Sequence, residues 1–114
     1  MRAGPRAWKT GELELYYAPS YRVELYTRNE GQPEIDDHDV AIQGMRSSVQ
    51  ALRGASKRAV HRHIGMRNDE EAVVFYEQVI EREITLARLF VTEAWSFMDG
   101  KWQIVRETVE HLGN

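Results

Sequence analysis

The stretch from Ile84 to Met98, ITLARLFVTEAWSFM, constrains the fold of this chain more than any other. With a period of two, one face carries Ala87, Leu89, Val91, Glu93, Trp95 and Phe97, and the other carries Leu86, Arg88, Phe90, Thr92, Ala94, Ser96 and Met98. Such alternation is that of a strand with one face turned to a core. The inward face is apolar but for a single carboxylate, Glu93. Burying that group without a partner costs on the order of several kcal/mol, so it must find a partner or keep its proton.

The rest of the chain supplies the neighbours such a strand needs. Pro5 can open a helix, and a short helix is expected over Trp8 to Ala18, with a break at Ala18-Pro19-Ser20. Tyr21 to Thr27 alternates as a strand, with Tyr21, Val23 and Leu25 on one side. After the turn cluster Asn29 to Pro33, the acidic run Asp36, Asp37, His38 and Asp39 leads into a helix expected from about Val40 to Arg53. Its stripe is Ile42, Met45, Val49 and Leu52; an aspartate caps the front and Gly54 stops the end. Beyond Gly54 the period returns to two. Lys57 to Arg67 is a strand with His61 and His63 on one face. Ala72 to Glu81 is the next, carrying Val73, Phe75, Glu77 and Val79 against Val74, Tyr76, Gln78 and Ile80. Asp99-Gly100 is the strongest hairpin signal, and Trp102 to Glu110 closes the chain. Helices early and an antiparallel meander late give an α+β fold, with helices packed on one face of a curved sheet.

The totals exclude several classes of function. At 114 residues the chain is expected to be one domain, residues 1–114, large enough for a real core. A net charge of -3 argues against nucleic acid as the main partner. Without cysteine there is no disulfide, thiolate nucleophile or sulfur-ligated zinc. No apolar run approaches the ~20 residues of a membrane helix, and Met1 to Arg6 is too short and polar for a signal peptide, so a cytoplasmic location is expected.

The C-terminal pattern V-T-E-A-W-S-F-M-D-G-K-W-Q-I-V, Val91 to Val105, resembles the last hairpin of the nuclear transport factor 2-like superfamily, in its SnoaL-like (polyketide cyclase and ketosteroid-isomerase-like) branch. In the front half, Trp8-Lys9-Thr10-Gly11-Glu12 and Tyr17-Ala18-Pro19-Ser20-Tyr21 are similar to that family's W-x-x-G-D turn and Y-A-P-D-Y step. The resemblance implies a cone-shaped half-barrel of strongly bent, mainly antiparallel sheet, with N-terminal helices over its concave face and a homodimer formed through the sheet. It implies a deep apolar pocket with a catalytic acid on the strand before the last hairpin, a position held by Glu93. It calls for no cofactor. Only seven residues precede Trp8, so residues 1–7 are expected to be a loose end and the first helix to be short. A more open mouth, suited to a bulky ligand or covered by a partner subunit, would follow. The isomerase branch's tyrosine and aspartate positions fall near Gly4 and Leu25, with Glu24 adjacent. The cyclases' histidine has no counterpart between Ala72 and Glu81.

These readings give two alternatives for Glu93. In an apolar pocket a carboxyl group is pushed toward neutrality, where acid/base work is efficient. If instead Asp99-Gly100 makes a two-residue turn with an unbroken ladder, Glu93 faces Arg106 as a charge pair; a bulge would shift that register. The candidate catalytic set is Glu93 with His61, His63 and Tyr76. Trp95, Phe75, Tyr17, Tyr26, Leu89, Val91 and Arg106 are the candidate ligand-binding set, with Tyr16 a further tyrosine able to reach a ligand's oxygen. His61 and His63 lack a third ligand for a metal, and no metal is expected. The acidic run before the helix reads as capping and dipole compensation. Trp102 is expected in the core, and Phe90 and Met98 on a dimer face. The expected function is a small-molecule enzyme binding a mainly apolar, polyketide- or terpenoid-like substrate: a cyclase, isomerase, dehydratase (a lyase) or epoxide hydrolase. The rival is a non-catalytic ligand-binding or dimerising module of the same fold.

Overall fold

The computed structural model describes residues 14–27, 31–51 and 53–113. A single 3-10 turn, Glu14–Tyr16, leads into β1 (Tyr17–Tyr26), followed by β2 (Glu34–Asp37), α1 (His38–Ala51), β3 (Ser56–Asn68), β4 (Glu71–Arg82), β5 (Ile84–Met98) and β6 (Lys101–Gly113). The six strands form one mixed sheet in the order β2-β1-β6-β5-β4-β3. The last four make an antiparallel meander, while β1 runs parallel to β6 and antiparallel to β2. The first and last strands therefore lie side by side, with β2 at one edge of the sheet and β3 at the other.

Local chemistry explains the reversals. Asp99 and Gly100 have φ of 50° and 79°, and Met98 pairs with Lys101, so the β5–β6 turn has two residues, both in the left-handed region that aspartate tolerates and glycine adopts freely. At the β3–β4 turn the Asn68 side chain accepts a hydrogen bond from the Glu70 N–H and donates one to Glu71, both at 2.8 Å. The Asp37 carboxylate accepts the Val40 N–H at 3.0 Å, the capping bond expected of an aspartate ahead of a helix. Gly54, with φ of 88°, turns the chain after α1, and Arg82 ties down the Arg53 carbonyl at 3.0 Å.

Three expectations change. Ala18-Pro19-Ser20 lies inside β1 and is no break; the ladder to β6 is interrupted between Tyr17 and Arg22, so the proline removes no ladder bond. The helix expected over Trp8 to Ala18 reduces to the turn at Glu14–Tyr16 where it is described; its first part, and the expected loose end at 1–7, lie outside the described residues. The run before the helix contributes β2, because Glu34 to Asp37 pairs with Arg22 to Leu25. The helical layer described is α1, which lies against β1 and β2 and buries Ile42.

The core sits on one face of the sheet. Tyr21 and Val23 of β1, Ala72, Val74 and Tyr76 of β4, Val91 and Trp95 of β5 and Ile104 of β6 form one buried cluster, with Leu89, Val109 and Trp102 partly buried against it. Tyr16 meets Trp95 edge-on at 6.0 Å, and Tyr17 meets Tyr21 at 4.7 Å. Fully buried side chains of this size contribute roughly 1.5–3 kcal/mol each, which makes this face the main source of stability.

Candidate functional site

Two carboxylates stand inside this apolar cluster. Glu93 is 0% exposed; the Tyr76 hydroxyl donates to its Oε2 at 2.8 Å, and the Trp95 indole N–H to its Oε1 at 3.0 Å. Glu107, 9% exposed, accepts the Tyr21 hydroxyl at 2.5 Å. The strand register makes Glu93 and Glu107 direct neighbours across the β5–β6 ladder. Opposite residues of an antiparallel pair have Cβ atoms roughly 5 Å apart, so the two side chains leave the sheet from neighbouring positions on one face. Like charges repel strongly in a low dielectric, and donors aimed at each carboxylate oppose that repulsion.

A single irregularity creates this pair. From the turn, Met98, Phe97, Ser96 and Trp95 pair in strict register with Lys101, Trp102, Gln103 and Ile104. An unbroken ladder would then set Arg106 opposite Glu93. Instead the register slips by one, so that Ala94 pairs with Arg106 and Glu93 with Glu107. Such a bulge leaves one residue of a strand unopposed and turns every later side chain to the other face. Arg106 is exposed on the outer face, so of the two alternatives for Glu93 the charge pair with Arg106 is not made.

Burial pushes the Tyr21 phenol far above its ordinary value of 10.0, with the charge of Glu107 and the hydrogen bond to it adding to the shift, and smaller contributions from Tyr17 and Glu93. Tyr21 thus remains a hydrogen-bond donor throughout the physiological range.

Of the sequence candidates, Glu93, Tyr76, Trp95, Val91, Leu89 and Tyr17 come together on this inner face. The others do not. Phe75 pairs with Thr92 and so points to the opposite face from Glu93; His63 stacks on it at 5.2 Å, exposed. His61 occupies a bulge in β3, with φ of 54° and an exposed side chain. Tyr26 is exposed and donates to Glu24 at 3.3 Å, whose charge raises its pKa. Sequence reasoning missed Tyr21 as a polar group and Glu107 altogether. Counted by twos from Trp102, Glu107 falls on the outer face, and only the bulge brings it inward.

Elsewhere, an open groove of about 530 Å³ lies between residues 68–71 and 96–98 and includes neither buried glutamate. Among the described residues no group of three His, Asp or Glu side chains could hold a metal ion, and no helix is long and apolar enough to cross a membrane.

No protein-family model matches the sequence. No curated protein matches it either. Solved structures do resemble it. An NTF-2 like protein of unknown function from Pseudomonas aeruginosa aligns with a TM-score of 0.72 at 12% identity, over 91% of this chain and 79% of its own. An NTF2-like protein with a cystatin-like fold from Novosphingobium aromaticivorans gives 0.69 at 12% identity, over 90% and 69%. The yeast UBP3-associated protein BRE5 gives 0.70 at 9% identity, over 92% and 83%. Identities this low speak to the fold alone.

Proposed function

Taking as premise that the chain has a nuclear transport factor 2-like fold, we propose that it is a small-molecule enzyme of the SnoaL-like kind. It binds a mainly apolar ligand against the inner face of a cone-shaped sheet and moves a proton with a buried carboxylate centre. The observation that carries this reading is the Glu93–Glu107 pair, each carboxylate held by a tyrosine hydroxyl within an apolar cluster. Two ionisable groups packed together in a core are a poor device for stability, because apolar residues of the same volume do as well or better. They are an effective device for proton transfer, which requires a carboxyl group away from water with its orientation fixed. An open mouth is supported by Ile64 and Met66. They pair with Val74 and Ala72 on the inner face, yet remain 52% and 58% exposed and offer an apolar rim.

Nitrobenzisoxazole tests the reading. It is a flat apolar compound whose ring opens when a base removes its one acidic C–H. The C–H electron pair becomes part of a nitrile, the N–O bond breaks, and the oxygen leaves as a coloured phenolate. The protein should open it at least about 100-fold faster than an equal concentration of free acetate, and the double variant Glu93→Gln/Glu107→Gln should lose that advantage. A wild-type rate no better than acetate refutes the proposal.

A second observation favours a homodimer through the outer face of the sheet. Phe75 and Phe90 lie 6.4 Å apart, 38% and 36% exposed, with His63 stacked beside them. Adjoining apolar side chains of this size on an open sheet face suit a self-complementary contact. Sedimentation of the wild type as a dimer and of Phe90→Asp as a monomer is the expected result.

A further inference from the structure

On the outer face the side chains stand in rows that run across the strands. Ladder partners point to the same side, so Ala94 of β5 and Arg106 of β6 make one row, Thr92 and Thr108 the next, and Phe90 and Glu110 a third. β1 extends these rows, with Arg22 beside Arg106, Glu24 beside Thr108 and Tyr26 beside Glu110. Arg22, Arg106 and Glu110 are all exposed. One end of the face is therefore basic and the other acidic, with threonines between. Tyr26 marks the acidic end. It donates to Glu24 at 3.3 Å, and its pKa is raised by the charge of Glu24, with desolvation, that hydrogen bond and the charge of Glu110 adding to the shift. Size is graded along β5 in the same sense, from Phe90, 36% exposed, through Thr92 to the small Ala94.

Facing sheets keep their strand directions within about 30° of one another, so two half-turns can relate two copies of this face. A half-turn about the strand direction brings the arginine rows of the two protomers together. A half-turn about a line across the strands, at the level of Thr92 and Thr108, exchanges the outer rows instead. It sets Arg106 against Glu110, Arg22 against Tyr26, and the ring of Phe90 over Ala94, each contact made twice. Charge on β6 and size on β5 are thus complementary about one and the same level. We propose that a second copy of this chain docks on the outer face about this axis, with Arg106 paired to the partner's Glu110 and Phe90 seated on the partner's Ala94. The proposal rests on the homodimer reading above and adds its orientation. Phe75, the ladder partner of Thr92, then meets its own copy near the axis. Glu24 meets its own copy too, a cost offset by the Arg22 of each protomer, two residues away on the same face. Complementary charges of this kind choose between orientations more than they add affinity.

Arg106 and Glu110 stand four residues apart on one strand, roughly 13 Å, too far to pair within a chain. Their pairing between chains can therefore be read by exchanging charges. In sedimentation equilibrium, Arg106→Glu and Glu110→Arg should each raise the dimer dissociation constant by about tenfold or more, since each sets like charges together at two contacts. Mixed in equal amounts, the two variants should bind each other about tenfold or more tightly than either binds itself, because every such contact in the mixed dimer joins opposite charges. The double variant Arg106→Glu/Glu110→Arg should return to within about threefold of the wild type. The wild type supplies a measurement free of substitution. Raising the salt from about 0.05 to about 0.5 M should raise its dissociation constant by about threefold or more. A wild-type dimer indifferent to salt, or single variants that do not recover on mixing, overturn this orientation and leave the homodimer reading intact. A wild type that stays monomeric overturns both.

Discussion

The two faces of the sheet are made from the same strands, yet they hold polar groups in opposite ways. On the inner face three buried donors are bonded to carboxylates: Tyr76 and Trp95 to Glu93, Tyr21 to Glu107. On the outer face, charges pair at the rim of solvent, as Arg88 with Glu77 at 3.3 Å and Arg58 with Glu81 at 2.9 Å, and the aromatics Phe75 and Phe90 stay open. Exposed ion pairs contribute about 0–1 kcal/mol each, whereas an orphaned buried donor or acceptor costs about 1–3 kcal/mol. The same residue types are therefore structural determinants on one face and nearly neutral decoration on the other.

Substitutions can break this contrast. The largest effect is expected at Trp95→Ala, which empties the most voluminous fully buried position and removes a donor from Glu93; a loss of about 3–5 kcal/mol in urea unfolding is expected. Next comes Tyr76→Phe, which keeps the ring and deletes only the hydroxyl on Glu93, for about 1–3 kcal/mol by the same measurement.

Tyr21 gives an effect of similar size that depends on pH. Its folded pKa lies above the unfolded value of 10.0, so its contribution is complete below pH 10 and is lost as pH rises beyond it, where the unfolded chain releases the proton and the folded chain retains it. Stability should fall by about 1.4 kcal/mol per pH unit from this group above pH 10, and Tyr21→Phe should remove that part of the alkaline slope. The smallest effect is expected on the outer face, where Glu81→Gln, which breaks the exposed pair with Arg58, should change the unfolding free energy of a monomer by no more than about 1 kcal/mol. A large monomer destabilisation there would erase the distinction between the faces.

Much of the architecture was legible in the chain. The alternation from Ile84 to Met98 is present as β5, Asp99-Gly100 makes its two-residue turn, and an aspartate caps α1, each because the controlling interaction lies within a few residues. Glu93 was conspicuous for the same reason, a lone acid in an apolar alternation. What local pattern missed involved distant strands. Pro19 reads as a break until a gap in the β1–β6 ladder makes room for it, and Asp36-Asp37 reads as a cap alone until β1 offers it an edge.

The sequence by itself determined the meander, its turns and the burial of Glu93, because side-chain periodicity and turn chemistry are properties of neighbours along the chain. Only the tertiary structure decided what stands opposite Glu93. A one-residue slip in β6 exchanges Arg106 for Glu107, and the parallel pairing of the first strand with the last brings Tyr21 to it across 86 residues of sequence. Register between strands is set by the packing of the whole sheet, and a residue's partner across it is written in no segment of the chain alone.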